Sequence, residues 1–438
     1  MRRVAIVGSG IAGLAAAHRL ASAADGHRVT LFEAGDHFGG HANTVDLEVD
    51  GVVHGVDTGF LVFNKRTYPL LMQLFAELGI APAESDMSFS VQLPAADGSP
   101  GLEWSGSSLR GVFAQRRNLL RPRFWHMLSE ILRFNRLATA LAQGDVELMG
   151  QASIGDFLDQ QGFEAGFREH YLLPMIGCIW SCPTDQMLRF PLSTLVRFCH
   201  NHGLIQVTDR PQWYTVRGGS REYVRRMVAR IGDARLRSPV LGLQRSGQQI
   251  RLRTAQGTET FEAVVLACHS DQALRLLGEG ASAEERAVLG AIRYQPNTAV
   301  LHGDVAVLPR RRAAWASWNY ERASQTNAEQ AQVCLHYLIN RLQPLPWQQP
   351  VIVSLNPARP IAEHLVHRRI DYSHPVFDLA ALQAQRRLGE LQGRQGTWFC
   401  GAWCGYGFHE DGLRAGLQAA EGVLQALGSQ PEQERSAA

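Results

Sequence analysis

The hydrophobic pattern of the first 45 residues predicts a β-strand, a helix and a second β-strand in close succession. Residues 4–7 form a short apolar run that is typical of a buried parallel strand. An alanine-rich segment with helical spacing follows, and residues 28–32 form a second apolar run. This order predicts a βαβ unit and therefore an α/β fold class.

Three glycines separate the first strand from the helix, with the spacing Gly8-x-Gly10-x-x-Gly13. Gly8 permits a tight turn, Gly10 lets the backbone approach a pyrophosphate, and Gly13 lets the helix pack closely against the strand. The helix N-terminus directs free N–H groups and a positive dipole end towards the phosphates. The motif therefore predicts a dinucleotide site. The residues that we assign to it also include Ser9, Ile11 and Ala12.

An acidic residue, Glu33, follows the second strand, twenty residues after Gly13. Its carboxylate is placed to accept hydrogen bonds from ribose hydroxyl groups and to disfavour the 2′-phosphate of NADP. We assign the adjacent Ala34 to the same contact. An ordinary glycine-rich turn would not explain why a strand, a helix, the glycines and the acid coincide.

A second glycine pair, Gly39-Gly40, lies shortly after Glu33 and is followed by Thr44. With the first motif, this pair resembles the flavin-containing amine oxidase and phytoene desaturase superfamily. The resemblance implies FAD as the cofactor. It also implies a Rossmann-like FAD-binding domain of the glutathione reductase and amine oxidase type, with an interleaved α+β substrate domain. Members usually carry arginine directly after the pair, whereas this chain has His41.

Further segments resemble flavin-binding parts of the same superfamily. The Gly59-Phe60 segment resembles the stretch beside the flavin ring, and Val240 resembles the position whose backbone contacts adenine. The C-terminal motif runs from Gly401 to a helix that opens near Gly412 and Leu413. The resemblance implies that this helix N-terminus faces the N1/O2 edge of the flavin and stabilises the reduced ring.

The positions of these segments predict the domain organisation. We expect residues 1–85, 211–290 and 391–428 to form the FAD-binding domain, and residues 86–210 and 291–390 to form the substrate domain. The polar stretch 429–438 is expected to be a disordered tail.

The string Gly-Phe-His-Glu-Asp-Gly at 407–412 resembles a narrower group of bacterial flavoproteins, often found beside cyclopropane-fatty-acid synthases. That resemblance implies an acyl chain as substrate. Our leading hypothesis is an FAD-dependent oxidoreductase that dehydrogenates or desaturates an acyl lipid or other apolar substrate by hydride transfer to flavin N5. The apolar stretch 172–180 suits a substrate channel, although packing in the core is the default interpretation.

The candidate catalytic residues are His409, Glu410 and Lys65, because a histidine or carboxylate could take the proton that accompanies hydride loss. The alternatives are that Glu410 only caps the last helix and that Lys65, the only lysine of the chain, is a solvated surface residue.

Three other functions remain open. An amine or amino-acid oxidase would release hydrogen peroxide, although the usual aromatic position of such enzymes falls on Gly412. An FAD-bound, non-catalytic partner of a lipid methyltransferase is the second. A dehydrogenase that uses only nicotinamide is weaker, because the Gly39-Gly40 pair and the segment from Gly401 to Gly412 indicate FAD. No second glycine fingerprint follows a strand, which also argues against a flavoenzyme that NADH reduces.

Composition narrows the location and the partners. The net charge of +2 predicts no general attraction to nucleic acid. Seven cysteines without a regular framework indicate a reducing, cytoplasmic environment. The segment 116–128 combines arginines with Phe, Trp and Leu, which suits peripheral contact at the inner face of a membrane. A packed helix is the preferred interpretation of that segment. We predict no metal site among the 16 histidines.

Overall fold

The computed structural model describes residues 2–23, 26–94, 101–144, 152–180, 184–206, 210–247, 249–322 and 333–428. The predicted tail, 429–438, lies outside them. The helices are α1 (Ile11–Ala21), α2 (Pro69–Leu78), α3 (Leu109–Val112), α4 (Pro122–Gln143), α5 (Ile154–Gln160), α6 (Ala165–Phe167), α7 (Leu173–Trp180), α8 (Thr184–Leu188), α9 (Leu192–Asn201), α10 (Arg221–Val228), α11 (Ser270–Leu277), α12 (Ala283–Leu289), α13 (Ile339–Leu342), α14 (Leu379–Arg387) and α15 (His409–Gly428).

The strands belong to several sheets. They are β1 (Arg3–Val7), β2 (Arg28–Phe32), β3 (Thr44–Val49), β4 (Val52–Asp57), β5 (Phe63–Asn64), β6 (Pro82–Ser85), β7 (Phe89–Leu93), β8 (Leu102–Ser105), β9 (Trp213–Val216), β10 (Asp233–Arg235), β11 (Gly242–Ser246), β12 (Gln249–Thr254), β13 (Gly257–Phe261), β14 (Ala263–Leu266), β15 (Arg293–His302), β16 (Trp318–Glu321), β17 (Cys334–Leu338), β18 (Ile352–Leu355), β19 (Val366–Val376) and β20 (Thr397–Phe399).

A five-stranded parallel sheet has the order β10-β2-β1-β14-β20. Its central strands are buried, as expected for a parallel sheet covered on both faces. Helices α1 and α15 pack against each other so closely that a Cβ at Gly416 would lie 2.1 Å from the Ala12 carbonyl oxygen. The predicted Rossmann-like architecture is confirmed. The carboxyl ends of the parallel strands meet at one edge, where such folds bind ligands.

A seven-stranded sheet has the order β19-β15-β18-β17-β16-β7-β8, and its strand pairs are antiparallel except β16 with β7. Residues of α4 to α9 share a hydrophobic core with one face of this sheet. Its strands fall within the ranges predicted for the substrate domain, while the division into two domains stays a prediction. None of the helices in the described part of the chain has the length and apolar character needed to cross a membrane.

Candidate active site

A cavity of about 630 Å³ lies between the two sheets and is lined by residues of both. Its nucleotide end is formed at the carboxyl edge of the parallel sheet by residues 7–12, 33–34 and 238–240. Its opposite end reaches Trp318 of β16 and Tyr337 of β17. Most of the sequence-predicted FAD residues therefore line one cavity, which extends to the second sheet.

The first glycine motif has the geometry that the sequence predicted. Gly8 has a φ of +103°, and a Cβ at Gly13 would lie only 1.9 Å from the Gly8 carbonyl oxygen. Gly13 therefore permits close packing of α1 and does not itself line the cavity. Gly10 lines the cavity and precedes α1, whose N-terminus has no side-chain cap. The free N–H groups of α1 suit the pyrophosphate of FAD.

Glu33 directly follows β2 and lines the wall of the cavity. Its carboxylate accepts hydrogen bonds from Ser9 N at 3.0 Å, Ser9 Oγ at 2.5 Å and Gly35 N at 2.8 Å. A carboxylate can accept about four such bonds, so Glu33 retains capacity for a ribose hydroxyl. Ala34 and Val240 line the same end of the cavity, and their contacts with the cofactor stay predictions.

The second glycine pair packs against the first motif. Gly39 and Gly40 have φ angles of +116° and +59°, and a Cβ at Gly40 would lie 3.2 Å from Gly10 Cα. Gly39 N donates to the Ser9 carbonyl oxygen at 3.0 Å. Two glycine loops are thus held backbone to backbone, which leaves the room beside them that a bulky cofactor needs.

His41 replaces the arginine that the superfamily usually carries. Its ring lines the cavity and stacks on Tyr372 with a centroid distance of 4.6 Å. Its Nε2 is buried without a hydrogen-bond partner. Burial, and secondarily the nearby His374, holds the pKa of His41 well below its usual value. A neutral imidazole with an unused ring nitrogen therefore faces the cofactor site, which fits a polar group of FAD.

His409 begins α15 and lines the cavity beside Phe60. The two rings stack with a centroid distance of 3.7 Å, and Nε2 of His409 lies 2.7 Å from the hydroxyl oxygen of Tyr223. Burial lowers the pKa of His409 to about 3 and raises the pKa of Tyr223 well above its usual value. Both groups are therefore neutral at neutral pH, and the ring tautomer of His409 decides which of the two donates in this hydrogen bond.

Two predicted catalytic residues do not reach the cavity. The Glu410 carboxylate accepts hydrogen bonds from Leu70 N at 2.9 Å and Leu71 N at 3.0 Å, at the start of α2. Lys65 is exposed, and its ammonium lies 4.6 Å from the ring centroid of Tyr214. The catalytic roles predicted for Glu410 and Lys65 are corrected, because neither side chain lines the cavity.

Three predicted cofactor residues support the site from outside. The Thr44 hydroxyl donates to Asp57 Oδ1 at 2.6 Å. A Cβ at Gly412 would lie 2.8 Å from a methyl carbon of Ile11, and the buried Leu413 packs in the core around α1. None of the three lines the cavity, so their contribution is packing and hydrogen bonding around the site. Gly59, Phe60 and Gly401 do line it, and their contacts with the flavin stay predictions.

The far end of the cavity contains residues to which the sequence assigned no definite role. Trp318 and Tyr337 meet edge to face at 4.9 Å, and Phe198 stacks on Phe408 at 4.7 Å. The remaining apolar lining residues at this end are Met87, Cys178, Ile179, Leu204 and Trp213. The apolar stretch 172–180 was the available signal, and it supplies two of these residues.

Formal charge is confined to the nucleotide end. Among the described residues that line the cavity, only Glu33 and Arg275 are Asp, Glu, Lys or Arg. The Arg275 guanidinium already pairs with Asp271 at 2.6 Å. The end next to Trp318 and Tyr337 is consequently apolar and aromatic.

The fold and the cavity define the class of the protein: it is a flavoprotein with a Rossmann-like FAD-binding domain. The glycine loops, the Glu33 carboxylate and the unpartnered nitrogen of His41 fit FAD, which is its cofactor. The chain belongs to the flavin-containing amine oxidoreductase family, whose profile matches residues 11–302.

Individual relatives match over limited lengths or at low identity. An L-amino-acid oxidase from Pseudechis australis is 54% identical over 50 residues, which cover 11% of this chain and 9% of that protein. The putative flavin-containing monoamine oxidase AofH from Mycobacterium tuberculosis is 26% identical over 271 residues, covering 60% and 56%. The structure of a putative protoporphyrinogen oxidase from Exiguobacterium sp. 255-15 has a TM-score of 0.67, at 16% identity and 97% and 99% coverage. That likeness establishes the fold.

Proposed function

We propose that the protein is an FAD-dependent oxidoreductase that removes hydrogen from an acyl lipid or another neutral, apolar substrate. The observation that carries the proposal is the uncharged, aromatic end of the cavity beside Trp318 and Tyr337. A buried charge without a partner is costly, so an ammonium or carboxylate group lacks a counter-charge there. A hydrocarbon chain gains from leaving water in the same place.

FAD, when bound, supplies the acceptor for the hydride that the substrate loses. The residues of this chain bind the cofactor, exclude water and orient the substrate. His409 was predicted to take the accompanying proton, but a group with a pKa of about 3 is poorly matched to that task at neutral pH. We therefore assign His409 a positioning role, in which the ring is held by its stacking on Phe60 and its hydrogen bond with Tyr223.

The resemblance of residues 407–412 to flavoproteins found beside cyclopropane-fatty-acid synthases supports an acyl chain as the substrate. Phe408 and His409 of this string line the cavity. The string that carries the resemblance therefore lies where a substrate would contact the protein.

Anaerobic titration of the FAD-loaded protein tests this proposal. Fractionated cell lipids and a panel of amines are added separately, and loss of the flavin absorbance is followed. We expect bleaching by a lipid fraction and none by amines. Ile179→Asp should slow the lipid reaction at least about tenfold, because it places a carboxylate in the apolar end, whereas Ile179→Leu should not. Bleaching by amines alone would overturn the proposal.

An amine oxidase is the second candidate function. It is favoured by the 26% identity to the putative monoamine oxidase AofH and by the paired aromatic rings at the end of the cavity. It requires amine-dependent release of hydrogen peroxide in air. If no compound bleaches the flavin and the protein co-purifies with a lipid methyltransferase, the non-catalytic partner hypothesis replaces both.

A further inference from the structure

An exposed surface between residues 109 and 132 is unusually apolar. Five of the eleven large hydrophobic side chains that are exposed in the described part of the chain lie in this segment. Leu120 and Leu109 are the most exposed of all, at 87% and 79%. Leu119 and Trp125 are exposed at 48% and 49%. We call Leu109, Leu119, Leu120 and Trp125, with the arginines around them, the arginine–leucine patch.

Local contacts hold these side chains on one surface. The indole Nε1 of Trp125 donates to the Leu119 carbonyl oxygen at 3.0 Å. The Trp125 ring also lies 5.3 Å from the ring of Phe113, the residue that ends α3. Because α3 begins at Leu109, the short helix, the turn at 116–120 and the start of α4 form one continuous surface.

The charge around these side chains is positive. The exposed arginines of the patch are Arg110, Arg116, Arg117, Arg121 and Arg123. Residues 104–129 contain no Asp or Glu. Two more exposed arginines, Arg310 and Arg311, are held nearby because the Glu103 carboxylate accepts both of their backbone N–H groups at 3.0 Å.

Three acidic side chains of the described residues border this surface: Glu103, which holds Arg310 and Arg311, and two residues further along the chain. Glu130 is buried, and Glu164 lies 3.4 Å from the imidazole of His126. Neither therefore neutralises the arginines beside Leu109 and Leu120.

We propose that the arginine–leucine patch docks the protein on an anionic lipid bilayer. Leu109 and Leu120 would enter the boundary between headgroups and acyl chains, while the arginines pair with lipid phosphates. A second copy of the chain is a poorer occupant, because a two-fold contact would place the same arginines against each other.

The patch continues towards the active site along α4. Leu132 and Arg136 follow Trp125 at spacings of 7 and 11 residues and so lie on the same face of the helix. Both line a surface groove together with Ile205. The next residue towards the N-terminus, Leu204, lines the FAD cavity. In a docked protein, the arginine–leucine patch and the bilayer would thus lie beside the apolar end of the cavity. This step rests on the proposed function.

Vesicle co-sedimentation of the FAD-loaded, full-length protein tests the docking. We expect binding to vesicles made of equal parts phosphatidylcholine and phosphatidylglycerol, little binding to phosphatidylcholine alone, and release by high salt. Leu120→Gln and the double variant Arg121→Gln/Arg123→Gln should each lower partitioning about tenfold or more. These side chains are exposed, so retained flavin absorbance will show that the variants fold.

Exposed residues elsewhere provide matched controls. Val53 is exposed at 59%, and Arg251 and Arg386 are exposed on distant elements, so Val53→Gln and Arg251→Gln/Arg386→Gln should bind like the wild type. Equal binding to neutral vesicles, or equal loss in these controls, would overturn the docking. A dimer that Leu120→Gln dissociates would also overturn it and assign the patch to protein contact. Vesicle binding without lipid-dependent bleaching would contradict only the proposed function.

Discussion

Gly10 and Gly13 belong to one motif but perform different tasks. A Cβ at Gly13 would collide with the Gly8 carbonyl oxygen at 1.9 Å, so this glycine sets how closely α1 approaches the preceding turn. A Cβ at Gly10 would meet no atom within 4 Å, and Gly10 lines the cavity. One residue therefore serves the fold, and the other leaves room for the cofactor.

Alanine at the two positions should separate these tasks. Gly13→Ala should lower the free energy of unfolding of the FAD-free protein by about 1–3 kcal/mol, because the backbone must shift. Gly10→Ala should leave that free energy unchanged, since Gly10 has a φ of −61°, but should reduce the FAD bound after purification. Denaturant unfolding and flavin absorbance measure the two effects. Wild-type FAD content in Gly10→Ala would contradict this division.

At the scale of the element, a side chain at the start of α15 caps the N-terminus of α2. Tyr68 offers no side-chain cap, and Pro69 has no backbone N–H. The next two N–H groups donate to the carboxylate of Glu410 at the start of α15. A negative charge at this place also suits the positive end of the α2 dipole. Glu410 therefore joins two helices rather than acting on substrate.

Removing this cap should affect stability and not chemistry. Glu410→Ala should lower the free energy of unfolding by about 1–3 kcal/mol, because a buried and a partly buried N–H group lose their acceptor. Glu410→Gln should cost less, since an amide oxygen still accepts. The rate of substrate-dependent flavin bleaching should stay near that of the wild type in the folded protein. A large rate loss in Glu410→Gln at unchanged stability would restore a catalytic role.

A control for this prediction lies on the same helix. Glu421 forms an exposed ion pair with Arg19 at 2.7 Å, and exposed pairs contribute little to stability. Glu421→Ala should therefore cost clearly less than Glu410→Ala. Equal losses would mean that the cap at Leu70 and Leu71 is not the cause.

A feature could be predicted from the sequence when the residues that determine it lie close together along the chain. The first strand, the glycine turn and α1 are adjacent in sequence, so the pattern of residues 4–13 predicts their geometry. The contact between Glu410 and Leu70 joins residues 340 apart, and it depends on how α15 is rotated against α2. The pairing of Trp318 with Tyr337 likewise depends on the register of β16 and β17, which no local pattern specifies.

For the whole molecule, burial of histidines couples stability to pH. Burial lowers the pKa of His202, His302 and His374 to about 4, and that of His409 to about 3. Three of these rings line the cavity, whereas His302 lies on the seven-stranded sheet and bonds to Ser354. The molecule therefore holds neutral histidines at places that an unfolded chain would expose to water.

These histidines predict acid lability of the FAD-loaded protein. In the unfolded chain a histidine takes up a proton below about pH 6.5, while these four remain neutral in the folded state until about pH 4. The unfolded state then binds more protons, so stability falls as the pH falls through this window, by about 1.4 kcal/mol per pH unit for each histidine. Asp57, whose pKa burial raises to about 6, opposes this trend, and so do Glu410 and Asp411, whose pKa values burial also raises.

The slope can be assigned to individual rings by denaturant unfolding at a series of pH values between about 7 and about 5. His302→Gln should make the slope shallower by about 1.4 kcal/mol per pH unit, whatever it does to the stability at neutral pH, because one proton fewer is taken up on unfolding. Leu301→Val changes the neighbouring buried residue of the same strand without altering a titratable group, and should leave the slope unchanged. If stability did not fall between neutral and mildly acidic pH, the pKa values of these histidines in the folded protein would lie near those of the unfolded chain, and His409 would again qualify as the proton acceptor.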